Sequence, residues 1–471
     1  ALVGSERHPN DQARALAMVL EKIYVGVTMA NKWTDPTSLL IIGLAGGVPA
    51  LLIAEVAIAL KVGLVYTAVL PGLIWLWYQF HLRTPPADTE AFLTFKDASL
   101  RRSWAKNKIP MHILVEAFLD DKVAFKKDVF KTLDEHREDF IDWRPTWNLA
   151  LFLIRQALPS TSSSFKSIAA TKKEIADHYD MGNDFFGAFM GPLMIYTSAI
   201  YHGLHQTLEQ AQTNKLDTIC EKLHLKPGQR MLDIGCGWGT LARHAASRFK
   251  ARSIGVTLSK EGAAWCREQN AKEGLSQEQC DILMCDYREI PRSDGAFDAI
   301  SAVEMAEHVG LANFTQPFLS SIFKMLKDDG LFFMQVAGLR KGSNWQDVQW
   351  GLFMSKYIFP GADASTPLYW YTQQLEKAGF EVHSVENIGR HYSHTLKAWY
   401  DNFQKNKSKP EIQQYPARLH RLWDIFLAWS VVAAGQGSAT CYQIVSHKNL
   451  YSFPRDNFCS DQIARPTGPR A

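Results

Sequence analysis

The chain has 471 residues, 46% of them hydrophobic and 21% charged, which is more than one ordinary core holds and excludes extensive disorder. Its 51 basic residues nearly balance 48 acidic ones, and a net charge of +3 leaves no footprint for nucleic acid. The 7 cysteines are odd in number and form no C-x-x-C pair, which argues against a disulfide scaffold or zinc site and for a reducing, cytosol-facing body.

After an N-terminal cytosolic segment, 1–38, the run Leu39–Phe80 carries charge only at Glu55 and Lys61. An apolar helix of about 20 residues spans a bilayer core. The run therefore predicts a transmembrane helical hairpin, Leu39–Leu60 and Val62–Phe80, with Trp75, Trp77 and Tyr78 at an interface. Lys22, Lys32 and Arg83 flank it and put both ends in the cytosol. Pro49 and Pro71 each remove a backbone donor, so a re-entrant hairpin or a buried helical pair are the alternatives. The expected location is a membrane, that of the endoplasmic reticulum, with the catalytic domain facing the cytosol.

Residues 81–165 form a helical linker region that opens on the stop Thr84–Asp88. Ala117, Phe118, Val123, Phe125, Val129, Phe130 and Leu133 recur at helical spacing, and Ser160–Ser164 reads as a second linker. Over 166–471 short β-rich runs alternate with helical ones. The strand candidates are Arg230–Ile234, Ala251–Thr257, Ile282–Met284, Phe297–Val303, Leu331–Val336, Phe380–Val385 and Tyr442–Ser446. Such alternation predicts an α/β fold with a mostly parallel sheet, Rossmann-like, which binds ligands at the carboxyl ends of its strands.

The first of those strands runs into Asp233 and then Gly235-Cys236-Gly237-Trp238-Gly239, followed by a helical stretch. Glycines let the backbone approach a bulky cofactor, and the helix start supplies oriented amide donors. A dinucleotide site wants G-x-G-x-x-G, but Thr240 stands at the third position. A ribose usually meets a carboxylate about 20 residues past the loop. Thr257 occupies that place, with Glu261 four residues later. Asp286 and Tyr287, after the third strand, suit an adenine: the first accepts from its amino group and the second stacks on its ring.

At this point the sequence resembles the cyclopropane-fatty-acid-synthase family of class I methyltransferases, and within it most the fungal sphingolipid C9-methyltransferases. The carrying stretches are His178–Phe186, Ile195–Ala199, Met231–Gly239, Gly255–Lys260, Asp286–Glu289, Glu304–Gly310 and His391–Leu396 with Trp399. The resemblance implies S-adenosylmethionine as methyl donor, held by Tyr196, Thr197, the loop Asp233–Gly239, and Thr257, Leu258, Ser259, Lys260, Glu261 and Gly262. Tyr287 and Arg288 complete that set. Members that make cyclopropanes hold bicarbonate with Cys, Glu, His and Tyr, and the matching positions here are Ser198, Glu307, Gln335 and Tyr392. Ser198 and Gln335 can still hydrogen-bond an anion, but neither supplies a thiol or an imidazole.

The implied reaction moves a methyl group onto an alkene carbon of a membrane lipid. Positioning in a dry cavity does most of the work, and aromatic faces stabilise the carbocation that results. Glu307 is the expected base, with Tyr392 orienting it. The expected product is a 9-methyl sphingoid base made from the Δ8 double bond of a ceramide; the alternative is a cyclopropane on a phospholipid acyl chain. The apolar run Leu422–Ala434, with Trp423, Phe426 and Trp429, reads as core or as the lining of a lipid tunnel. No metal site and no oligomeric state follow from the pattern.

Overall fold

The computed structural model describes residues 84–144, 181–291, 294–359 and 366–455, with Pro71, Gly72, Ile74 and Ala362. The expected membrane hairpin therefore lies outside the described residues apart from Pro71, Gly72 and Ile74, as do Ser160–Ser164, His178 and Tyr179. Among the described residues no helix is long and apolar enough to cross a membrane. The chain divides into two units, Ala1–Ser164 with Arg340–Gln349, and Phe165–Leu339 with Trp350–Ala471.

In the first unit the expected helices are α1 (Ala98–Trp104), α2 (Met111–Leu119) and α3 (Val129–Phe140), but short strands separate them. β1 (Leu93–Phe95) pairs antiparallel with β3 (Val123–Phe125), and β2 (Ile109–Pro110) pairs parallel with β4 (Ile141–Asp142). Val123 and Phe125, expected on a helix, are thus strand residues. The cause is local. Asp121 turns the chain with φ at +61°, and the Asp128 carboxylate accepts from the Lys131 N–H at 2.9 Å, so the helix cannot begin before Val129.

The second unit is built on a seven-stranded sheet ordered β10-β11-β9-β8-β5-β6-β7. Its strands are β5 (Arg230–Ile234), β6 (Arg252–Thr257), β7 (Cys280–Met284), β8 (Phe297–Val303), β9 (Leu326–Leu339), β10 (Phe380–Asn387) and β11 (Ala439–Lys448). β11 runs antiparallel to both of its neighbours, and the β5–β9 pairings are all parallel. β9 and β11 outrun the expected Leu331–Val336 and Tyr442–Ser446 because they pair with each other from Leu331↔His447 to Ala439↔Leu339. Backbone pairing recruits flanking residues that apolar pattern alone does not mark.

Both faces of the sheet are buried. Leu232, Ile234, Ile300, Phe332 and Met334 point into one core, and Met231, Ala299, Leu331 and Phe333 into the other. Flanking helices include α4 (Asn183–Met190), α5 (Leu208–Lys222), α6 (Thr240–Arg248), α7 (Lys260–Lys272), α8 (Ser320–Met325), α9 (Leu368–Lys377), α10 (Gly389–Asn406) and α11 (Ala417–Gly435). α5 starts at a capping box in which the Gln210 N–H donates to Thr207 Oγ1 and Thr207 N–H to Gln210 Oε1. β5 lies between β6 and β8, so the strand order reverses beside it, and a cleft opens past its carboxyl end.

Candidate active site

That cleft encloses about 750 Å³, open solvent included, and the glycine loop forms one wall. Gly235 has φ +78°, and a Cβ there would lie 2.5 Å from Met305 Cγ. Gly237 has φ +55°, but a Cβ on it would meet nothing within 4 Å, because it faces the cleft. Gly239 N-caps α6. Thr240 is buried and its hydroxyl donates to the Leu193 carbonyl at 2.8 Å, so a residue takes the volume that a dinucleotide site keeps for its third glycine.

Leu258, Thr257, Ser259 and Gly262 line the cleft on the β6 side. Ser259 caps α7 by accepting from the Gly262 N–H at 2.9 Å, while its own N–H donates to Thr257 Oγ1. Lys260 and Glu261 are exposed on the first turn of α7 and do not border the cleft, so the expected carboxylate for a ribose is missing there. Asp286 and Tyr287 do border it. Asp286 is fully buried and engaged by Arg288, whose Nε donates to Oδ1 at 2.6 Å and Nη2 to Oδ2 at 2.8 Å. It therefore holds the turn, and Arg288 acts on the cleft through it. Tyr287 packs edge-on against Phe318, and burial pushes its phenol up to about 12.

Two expected contacts sit deeper. Asp233 is 2% exposed and accepts the Ser301 hydroxyl at 2.7 Å; burial lifts its carboxyl to about 6, against the pull of Ser301 and Lys215. Cys236 pairs its thiol with Cys266, which with burial raises it well above the usual thiol range. Neither is a cleft-lining group, and both support the loop from behind.

Sequence reasoning missed Lys215. It falls on the buried stripe of α5 with Leu208, Ala211 and Ile219, yet it carries an ammonium that donates to Thr197 Oγ1 at 2.6 Å. Burial pushes that ammonium down to about 8, while Glu304, Cys441 and Asp233 pull it up. Gln212 donates to the Thr197 carbonyl at 2.9 Å, so α5 fixes Thr197 twice. A lysine on the buried stripe of a helix, beside Gln212, was the available signal.

The larger correction concerns the carboxylate. Tyr392 meets Glu304, not Glu307: its hydroxyl donates to Glu304 Oε2 at 2.8 Å. Gln335 Nε2 donates to Glu304 Oε1 at 2.6 Å, and the Ser198 backbone N–H donates to the same oxygen at 2.9 Å. The Ser198 hydroxyl turns away to the Ala199 carbonyl. Cys441 Sγ lies 3.7 Å from Oε1, and Gln443 steadies the Gln335 amide through a bond to its oxygen at 2.9 Å. Glu304 borders the cleft and holds φ at +50°, a conformation that is strained for a residue with a Cβ. Glu307 instead accepts the Ala337 N–H at 2.6 Å, which ties the turn Ala306–His308 to β9, and it is not among the cleft-lining groups.

An aromatic cluster adjoins this end of the site, with Trp399 6.3 Å from the Tyr392 ring and Phe359 6.0 Å from the His308 ring. The Tyr196 ring lies 5.3 Å from Trp399, 5.6 Å from both Phe186 and Phe189, and 6.0 Å from Phe359. Trp238 packs on Phe186 and donates to Asn183 Oδ1 at 2.7 Å, which couples the glycine loop to α4. Trp423, Phe426 and Trp429 on α11 are each 1–2% exposed and pack on these and other rings, as core.

A profile of the mycolic acid cyclopropane synthetase family matches residues 166–444. "Sphingolipid C9-methyltransferase 2" of Gibberella zeae is 45% identical over 79% of this chain and 71% of its own length. "Sphingolipid C9-methyltransferase" of Komagataella phaffii is 43% identical over 80% of this chain and 78% of its own. Among solved structures, a cyclopropane synthase from Mycobacterium tuberculosis is similar with a TM-score of 0.54 at 27% identity, covering 59% of this chain and 98% of its own. A mycolic acid cyclopropane synthase complexed with SAH and CTAB gives 0.55 at 25% identity, with coverage of 59% and 98%. The strand order, the loop at the end of β5 and these likenesses make the second unit a class I methyltransferase fold. The chain belongs to the mycolic acid cyclopropane synthetase family.

Proposed function

We propose that the protein is an S-adenosylmethionine-dependent C-methyltransferase that methylates C9 of the Δ8 double bond in the sphingoid base of a ceramide. The observation that carries this reading is a cleft with a glycine wall at one end and, at the other, a carboxylate framed by Tyr392 and Gln335. Relatives at 42–45% identity named as sphingolipid C9-methyltransferases supply the acceptor. The cyclopropane synthases are more distant, at 25–27%. The hairpin Leu39–Phe80 is read as the anchor that keeps the active site at a cytosol-facing membrane of the endoplasmic reticulum, where its lipid substrate lies.

S-adenosylmethionine, when bound, supplies an electrophilic methyl group. Gly237 would leave it space, Leu258 and Tyr287 would flank its adenosine end, and Thr197, fixed by Lys215, would hold its amino-acid end. An alkene needs no base to attack. What it needs is alignment and exclusion of water, and the cluster of Tyr196 with Trp399 beside Tyr392 is read as supplying both, with favourable electrostatics for the carbocation. The direct test supplies the protein in membranes with S-adenosylmethionine and a Δ8-unsaturated ceramide. A sphingoid base heavier by one CH₂ is expected, and label confined to phospholipid acyl chains sinks the reading.

Acidity follows from two buried groups. Below about pH 6 Asp233 gains a proton and the support behind the glycine loop weakens, whereas above about pH 8 Lys215 loses its charge and its hold on Thr197. kcat/KM for the cofactor is therefore expected to be bell-shaped between those limits. A flat profile from pH 5 to 9 contradicts both assignments.

A further inference from the structure

The resemblance to cyclopropane synthases brings with it a bicarbonate ion, but the residues here do not fit one. Three of the four positions that would hold it are turned onto a carboxylate of the chain itself: Tyr392 and Gln335 both donate to Glu304, and Ser198 reaches it through its backbone N–H. We infer that Glu304 stands in for a diffusible anion and is the residue that removes the C9 proton, so that the enzyme carries its own base.

Other carboxylates near the cleft are committed elsewhere. Asp286 is clamped by a guanidinium, Asp233 on β5 accepts the Ser301 hydroxyl, and Glu307 accepts from the backbone of β9. Glu304 is different in two respects. It borders the cleft, and its hydrogen-bond donors are a phenol, an amide and a backbone N–H rather than a cation. The two oxygens also differ. Oε1 accepts from Gln335 and Ser198 with the Cys441 thiol nearby, whereas among the described residues Oε2 accepts from Tyr392 alone and keeps a lone pair for the substrate. The chain also holds Glu304 at φ +50°, a conformation costing roughly 1 kcal/mol or more that is tolerated where surrounding structure fixes a functional side chain.

The C9–CH₃ bond forms from the alkene pair as the sulfur–methyl bond breaks, its electrons remaining on sulfur and C8 left electron-deficient. The C9–H bond then breaks. Its electrons restore C8=C9 and the proton goes to Glu304 Oε2. Loss of the proton from C9 rather than from the new methyl gives a branched alkene and not a cyclopropane.

This assignment rests on the C-methylation reading, so wild-type turnover is measured first, in buffer with and without bicarbonate. A wild type silent toward every alkene lipid sinks both; an active one allows Glu304 to be judged alone. Wild-type turnover is expected to ignore bicarbonate depletion. Glu304→Gln should lower kcat by roughly 100-fold or more while the cofactor Kd stays within about threefold. Glu304→Gly suits the left-handed backbone and opens room for an anion, so added formate or bicarbonate should restore its turnover by about tenfold or more, and neutral formamide should not. The assignment is overturned if either variant stays within about fivefold of wild type, if the wild type itself needs bicarbonate, or if folded Glu304→Gly stays silent with every small carboxylate. Should both variants fail to fold, the bicarbonate response of the wild type decides.

Discussion

Alanine at Gly235 is expected to lower the melting temperature by roughly 5–15 °C, while alanine at Gly237 lowers it by only about 2–6 °C and removes cofactor affinity. Both glycines lie in the left-handed region, where a Cβ costs about 1–2 kcal/mol. At Gly235 the added carbon also strikes Met305 at Cβ and Cγ, atoms close to the backbone that cannot swing aside. Overpacking of that kind adds about 1–3 kcal/mol. At Gly237 the same carbon meets no protein atom and projects into the cleft. Its effect should therefore appear as a roughly 100-fold weaker Kd for S-adenosylmethionine by calorimetry, with a small melting shift. A Gly237→Ala protein that binds the cofactor normally would remove the loop from the binding site.

Lys215→Met is expected to cost about 3–5 kcal/mol, because it strips the cation from a buried cluster and leaves its carboxylates uncompensated. Lys215 is 2% exposed and lies in the field of Glu304 and Asp233. Asp233, already lifted to about 6 by burial, would rise further once the ammonium is gone. The acid limb of the pH profile should then move to higher pH, and the alkaline limb should vanish. Thr197 would lose its side-chain donor, so the cofactor Kd should weaken together with stability. Thermal melts and the pH profile check this together. A variant that melts within about 2 °C of wild type, with an unchanged alkaline limb, shows that Lys215 neither holds the cluster nor sets that limb.

The central sheet was legible because its strands are buried on both faces. Arg230–Ile234 and Phe297–Val303 read as short runs rich in apolar residues, and they fold with those bounds. The three-residue strands around Val123 were not, since so short a stretch carries no period and its apolar residues coincide with helical spacing. Gly235, Gly237, Trp238, Thr257, Asp286 and Tyr287 border the cleft because they lie at or just past the ends of β5, β6 and β7, and a parallel sheet gathers its strand ends in one place. Lys260, Glu261 and Arg288 lie three or four residues past such ends, but the first two are exposed on α7 and Arg288 is turned back onto Asp286.

Glu304 was the instructive miss. Residues 198, 304, 335, 392 and 441 come from five separate segments, and the contacts among them belong to the tertiary fold alone. A carboxylate placed immediately after β8, at the carboxyl edge of the sheet, was the signal that could have found it. The family pattern pointed to Glu307 three residues later, and the left-handed backbone at Glu304 is what turns the nearer carboxylate toward Tyr392.

The fate of the proton at C9 tests the whole reading most directly. The protein in membranes is supplied with S-adenosylmethionine bearing a trideuterated methyl group and a Δ8-unsaturated ceramide deuterated at C9. The expected product is a 9-methyl sphingoid base that keeps all three methyl deuteriums and has lost the deuterium at C9. A cyclopropane that keeps the C9 deuterium and only two of the methyl deuteriums, or a sphingoid base with no label, would contradict it.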